Sequence, residues 1–490
     1  MRRSGILLHI SSLPSPGGIG SLGKEAFEFV DFLQAAGMRI WQVLPVGPTG
    51  YGNSPYQSSS VFAGNPLLIS CRKLREEGLL SYRDEEEFIP DDPETVDYER
   101  VKENKDFLLR RCFAQSAGRL QPQLKAFEET HAWVSDFALF TAVKNHFNQV
   151  MWTKWPDESI RLRKPEALKK YREELRDEIR FHLFCQYLFR RQWNDLRKYC
   201  AEHNVLLFGD MPIYVAEDSA DTWTHPEDFQ LDRHRTPKRV AGVPPDLFSE
   251  TGQLWGNPLY RWHYLRFHRF DWWIDRMRGM SELYDILRID HFIGFANYYS
   301  IPYGAPDAKT GKWVKAPGKA FFKRLKAAIP NMEIIAEDLG EASPRVKKLL
   351  SWTGYPGMKV LTFGFDGDET NPHFPGNYSE NCVAYTGTHD NDTTLGWARK
   401  ADPKVLDFAM RTLNFSGVEN APEAFIQALF RLPCETVIVP MQDVLGLDGY
   451  ARMNYPSTIG GNWLWRMKPG VLTQDLSMKY YLLNKQTDRR

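Results

Sequence analysis

Apolar residues recur at helical spacing early in the chain: Ala26, Phe29, Val30 and Leu33 share one face of a helix predicted over residues 25–36. Ser21 stands where a cap belongs and Gly37 where the helix should stop. On either side the pattern shifts to short apolar runs, 6–9 and 39–44, which read as buried strands. Strand, helix and strand in that order make a unit with parallel strands. Similar runs at 205–210, 286–290, 333–337, 358–363, 382–385 and 436–439 bring the predicted strands to eight. Helical patterns lie between several of them, as at 177–202 and 344–352, the second with Ser343 at its cap and Pro344 in its first turn.

Eight strands with interposed helices predict an α/β fold, a (β/α)8 TIM barrel over residues 1–490, whose chemistry belongs at the C-terminal ends of the strands. The intervals are uneven. Residues 71–175 are charged, helical in pattern and too long for a loop, which predicts a mainly helical insertion subdomain. Residues 225–262, rich in Pro, Gly, Trp and Phe, predict an ordered loop over the active-site cleft. The competing architecture is a doubly wound open sheet, which calls for a Gly-rich phosphate turn after the first strand. The glycines of 15–20 have no helix start in the right place for that turn.

Composition narrows the partners. With 62 Lys+Arg against 62 Asp+Glu, the chain has no net field for nucleic acid or an anionic membrane, and a neutral substrate fits better. Aromatic residues make up 13% of the chain; most must be core, but rings are also what proteins use to hold sugars. The six cysteines lie far apart, without the spacing of a zinc site or a disulfide scaffold, and predict reduced thiols in a cytoplasmic protein. The apolar run after Met1-Arg2-Arg3 is too short for a signal peptide, and nothing approaches the ~20 apolar residues of a membrane span.

Three of the apolar runs lead to acids: Asp290, Glu337 and Asp390. Strand side chains alternate faces, so Arg288 and Asp290 should point the same way. A guanidinium so placed is expected to hold Asp290 ionised, lowering its pKa by roughly 1 to 3 units, and makes it a candidate nucleophile. Three strand-end acids, one with an arginine partner, suggest sugar chemistry. Retention at a sugar carbon needs a carboxylate nucleophile and a protonated acid about 5 Å apart.

The segments around these acids, Arg288-Ile289-Asp290-His291, Ala336-Glu337-Asp338-Leu339-Gly340 and Thr388-His389-Asp390-Asn391-Asp392, resemble the catalytic regions of the α-amylase clan of glycoside hydrolases. Others are similar to the 4-α-glucanotransferases of that clan, glycoside hydrolase family 77, also called amylomaltases or disproportionating enzymes. These are residues 44–57, residues 209–221, and Pro244-Pro245-Asp246-Leu247-Phe248-Ser249 with Gly252-Gln253-Leu254-Trp255-Gly256-Asn257-Pro258. The resemblance runs from residue 5 to about 467. Ile293, where the family often has Arg, and Tyr298-Tyr299, where Tyr-Trp is usual, depart from it and bear on substrate preference, not on the reaction.

The resemblance implies a retaining transferase of α-1,4-glucan segments, without a separate C-terminal β-domain. It assigns Asp290 as nucleophile, Glu337 as acid/base and Asp390 as the residue gripping the sugar's hydroxyls. Arg288, His389 and His291 are the implied neighbours, and Asp210 either binds a hydroxyl or orients Arg288. Tyr51, Ser54, Tyr56, Tyr98, Phe248, Trp255, Phe363 and Asn454 carry over as glucan-contact candidates, with Trp255 on the covering loop biasing the reaction toward transfer. Maltodextrins and other α-1,4-glucans are the implied donors, and glucose or malto-oligosaccharides the acceptors. No cofactor is implied, and no metal-ligand spacing is visible. An α-glucan hydrolase of the same clan and an inactive glucan-binding protein are the rival readings, the second disfavoured by the three intact acids. The oligomeric state stays open.

Overall fold

Short runs of mostly buried residues make the eight parallel strands: β1 (Arg3–Leu7), β2 (Ile40–Gln42), β3 (Leu206–Pro212), β4 (Ile286–Asp290), β5 (Glu333–Ala336), β6 (Gly357–Val360), β7 (Cys382–Tyr385) and β8 (Thr436–Pro440). The computed structural model describes residues 2–82, 90, 92–245, 249–340 and 343–489. The strands pair in the order β6-β7-β8-β1-β2-β3-β4-β5. Ile6 of β1 lies opposite Trp41 of β2 and Val439 of β8, which fixes the register at the centre. The Ala336 N–H donates to the Pro356 carbonyl at 2.9 Å, so β5 meets the approach to β6 and the sheet rolls into a barrel. Asp290 and Pro212 are register partners at the ends of β4 and β3, while Glu337 follows β5 directly.

The helix predicted after β1 runs from Lys24 to Ala35 and buries Ala26, Phe29, Val30 and Leu33. Its Phe29 ring meets Trp41 edge-on with centroids 4.8 Å apart, and the Trp41 indole N–H donates to the Leu8 carbonyl at 2.8 Å. Ser21 does not cap it: Gly23 holds that position without a side-chain bond, and Ser21 instead donates its N–H to the Ser15 hydroxyl. Ser343 does cap Pro344–Thr353, accepting the Val346 N–H. The last residues of the predicted strand 358–363 form a 3-10 turn, Leu361–Phe363.

Between β2 and β3 the chain forms helices that include Tyr98–Ser116, Gln121–Thr130, Trp133–His146 and Pro165–Glu174, then the long Arg176–Glu202. Trp152, Trp155, Phe140 and Tyr171 make a second buried cluster with Trp223 from beyond β3. Each such ring contributes roughly 1.5 to 3 kcal/mol on burial, enough to tie these helices to the segment after β3. The stretch 225–262 is not all loop. It contains the antiparallel strands Arg239–Val243 and Gln253–Pro258, which join Asn297–Pro302 and Lys312–Lys315 in a four-stranded sheet. Among the described residues, no helix is long and apolar enough to cross a membrane.

Candidate active site

Alternation along β4 puts Arg288 and Asp290 on one face, and the guanidinium bridges two acids. Its Nη2 lies 2.9 Å from Asp290 Oδ1, and its Nη1 donates to Asp210 Oδ2 at 2.6 Å. Its Nε points at the Met358 sulfur, 3.2 Å away. The Tyr56 hydroxyl donates to the same Asp210 oxygen at 2.7 Å. Gly209 lets β3 carry Asp210 here, because a Cβ at that position would fall 2.3 Å from the Tyr284 ring beneath.

Glu337 is held from both sides. The His291 N–H donates to its Oε2 and the Leu339 N–H to its Oε1, each at 2.7 Å. His291 reaches that position in a left-handed conformation, φ 54°. The two acids are thus linked through the backbone of the residue that follows Asp290. Asp390 lies beyond the end of β7, on the following loop rather than on the strand itself. The Asn454 amide donates to its Oδ1 at 2.6 Å, and His389 Nε2 lies 3.4 Å from its Oδ2.

The electrostatics correct one expectation. Arg288 does oppose protonation of Asp290, but the net direction is upward: burial dominates, and Asp210, Glu337 and Asp390 add to it. The physical reason is loss of hydration in the buried site, which outweighs the guanidinium that Asp290 shares with the fully buried Asp210. Burial also pushes Glu337 up, against Arg288 and its two backbone donors. Charge on Glu337 opposes ionisation of Asp290, so a proton on either one eases ionisation of the other. Burial pushes His291 down to about 4 and His389 below its ordinary value, so both rings are neutral near pH 7.

A cleft of about 860 Å3, walled by Ser54, Trp255, Asn454 and Trp463 among others, adjoins the acids through Asn454, which bonds Asp390, and Trp255, which meets His291. Trp255 sits on the strand Gln253–Pro258, not on a loop, with its ring edge-on to His291 at 4.9 Å. Tyr56 stacks on His389 with centroids 5.1 Å apart, and Trp463 stands 5.8 Å from His389. Tyr98 is turned away from the cleft: it is buried, and its hydroxyl donates to the Trp463 carbonyl at 3.1 Å, so it supports the wall from behind. Phe363 is exposed beside His373, on the turn after β6. Phe248 lies outside the described residues, and of Tyr51 only the backbone, in a 3-10 turn, is described. Sequence reasoning missed Met358, which has no local signal, and Trp463, which the turn Gly460-Gly461-Asn462 before it could have flagged.

A parallel barrel with buried acids gathered at the C-terminal ends of its strands, beside an aromatic-walled cleft, is the arrangement of a carbohydrate-active enzyme. The family model described as 4-alpha-glucanotransferase, Glyco_hydro_77, matches residues 8–473. The 4-alpha-glucanotransferase of Clostridium butyricum is 44% identical, over 98% of this chain and 99% of its own length. That of Thermus thermophilus is 45% identical, over 100% and 99%. The solved structure of amylomaltase from Streptococcus agalactiae in complex with acarbose superposes with a TM-score of 0.98 at 41% identity, covering 100% of both chains. The chain belongs to the 4-alpha-glucanotransferase family and is an enzyme of glucan transfer.

Proposed function

We propose that this enzyme moves α-1,4-glucan segments between maltodextrin chains, with Asp290 as nucleophile, Glu337 as acid/base and Asp390 gripping hydroxyls beside the reacting carbon. The Asp290 carboxylate bonds to the anomeric carbon as the glycosidic C–O bond breaks, and Glu337 gives its proton to the departing 4-oxygen. An incoming 4-hydroxyl returns that proton to Glu337 and displaces Asp290. The observation that supports these roles most is the Arg288 bridge: it stabilises negative charge on Asp290, which biases the proton toward Glu337. Asn454 and His389 aim Asp390, and Tyr56 locks Asp210 against Arg288.

Transfer requires that water lose to an acceptor. Water is about 55 M and an acceptor about millimolar, so equal reactivity would favour hydrolysis by roughly 5 × 10⁴-fold, or about 6.5 kcal/mol. The cleft walls that include Trp255 and Trp463 supply the bias by orienting a sugar hydroxyl and restricting water. Donors are maltodextrins, and acceptors are glucose or malto-oligosaccharides. The six free cysteines and the lack of a membrane-spanning helix among the described residues support action in the reducing cytoplasm.

Incubation with maltotriose and chromatography of the products test this reading. Glucose together with chains longer than maltotriose is the expected result. Glucose and maltose alone, with one new reducing end per cleavage, would make the enzyme a hydrolase.

A further inference from the structure

The segment that brings Ser59 to the cleft wall brings Ser60 and Phe62 to a second groove, of about 480 Å3, which shares no lining residue with the cleft. Its other walls come from the start of the helix Trp133–His146, the helix Asp271–Leu283 and the short helix Ala220–Thr224. The Phe62 and Trp133 rings are partly exposed and nearly parallel, 15° apart with centroids separated by 6.1 Å. The same groove is lined by the polar groups Asp136, Asp275, Arg278 and Glu282.

The charges of those groups are already answered. Asp136 pairs with Arg163 and Arg172, each at 2.9 Å; Asp275 pairs with Arg278 at 2.9 Å; and Glu282 pairs with Arg190 at 3.4 Å. Asp221, on the floor, is buried, and burial pushes its carboxyl up to about 6. An anion would meet these carboxylates, and a cation would find them taken. Paired carboxylates keep lone pairs that accept hydroxyl donors, and ring faces suit the C–H faces of pyranose units. A neutral polyhydroxylated chain satisfies both features.

We propose that this groove is a second α-glucan site, outside the catalytic cleft, in which Trp133 and Phe62 carry the sugar rings and Asp275 accepts hydroxyls. The choice of an α-glucan, among neutral sugars, rests on the transfer activity proposed above. The site holds a long chain near the cleft, and maltotriose turnover does not require it.

Retardation of the full-length protein in native gels containing soluble amylose tests the groove, with maltotriose disproportionation as a control. Trp133→Ala is expected to raise the apparent dissociation constant for amylose about fivefold, leaving maltotriose turnover unchanged. Asp275→Ala, at an exposed position that does not threaten the fold, is expected to raise it about twofold to threefold. Parental retardation in both variants, or retardation that falls only together with maltotriose turnover, would overturn the proposal. If the parent cannot disproportionate maltotriose, the transfer reading fails on that arm, while amylose retardation still judges the groove.

Discussion

The two ends of the barrel use arginine in opposite ways. At the N-terminal end, Arg489 is fully buried, and its Nε, Nη1 and Nη2 donate to the carbonyls of Phe430, Cys434 and Leu432 at 2.8, 2.9 and 2.7 Å. That guanidinium closes a set of backbone acceptors before β8 and faces no chemistry. At the C-terminal end, Arg288 is shared by Asp210 and Asp290, with Glu337 and Asp390 also in its field. There Asp210 Oδ1, Tyr214 Oη and His291 Nε2 are buried without a hydrogen-bond partner. The first arrangement stabilises the fold, and the second accepts a stability cost in return for carboxyls poised to exchange a proton.

The largest expected effect at the C-terminal end is on turnover. Asp290→Ala should lower it by on the order of 10⁴-fold or more, because no neighbouring group replaces the covalent carboxylate. Activity within about tenfold of the parent would remove Asp290 from the nucleophile's role. The same variant probes the stability cost. Asp290's folded pKa lies above its unfolded value, so the folded state binds more protons and loses stability as pH rises from the unfolded pKa through the folded one. Removing the group should therefore improve denaturation midpoints near neutral pH, with the gain shrinking toward about pH 4.

Arg288→Met should cost about 10²–10³-fold in activity and destabilise by about 3 to 5 kcal/mol, since it strands the buried Asp210 carboxylate. Without the cation the Asp290 carboxyl rises further, so the acidic limb of the pH–rate profile should move to higher pH. An unmoved acid limb in folded protein would break the link between Arg288 and the nucleophile. Arg489→Met is the counterpart at the other end. The Phe430 and Leu432 carbonyls keep the Arg2 guanidinium as a donor while the Cys434 carbonyl loses its partner, so chemical denaturation should show a loss of about 1 to 3 kcal/mol, while kcat per folded molecule and the pH profile stay put. A changed pH profile there would mean that the two ends are not separable.

The C-terminal side of this contrast was legible in the sequence because strand periodicity is local; the Arg489 side was not. Arg288 and Asp290 had to share a face, and β5 had to deliver Glu337 beside them. The net direction of the Asp290 pKa was not legible, since it depends first on burial in the folded barrel and then on Asp210, 78 residues before Arg288, taking the other side of that guanidinium. The contact of Met358 with Arg288 joins residues 70 apart and leaves no trace in either neighbourhood. Asp390 looked like a strand-end residue because Thr386, Gly387 and Thr388 extend the run, although β7 stops at Tyr385. The strands inside 225–262 were hidden by the Gly and Pro that bound them, and the pairing of Arg239–Val243 with Asn297–Pro302 is non-local.

A smaller effect is expected where the cleft wall meets the floor. Trp255→Ala should raise the ratio of glucose released to glucan transferred, because acceptor orientation weakens by about 1 to 3 kcal/mol and water gains access. A lower denaturation midpoint with an unchanged ratio would make Trp255 a packing residue only.

The central claim, that Asp290 carries the glycosyl group while Glu337 handles the proton, is tested most directly by trapping. Glu337→Gln incubated with an activated donor such as α-maltosyl fluoride, whose leaving group needs no acid, should form the covalent intermediate and then fail to discharge it. Mass spectrometry of the digested protein is predicted to find the maltosyl adduct on the peptide containing Asp290. An adduct on another carboxylate, or fluoride release at the parent's steady rate with no adduct, would contradict the account.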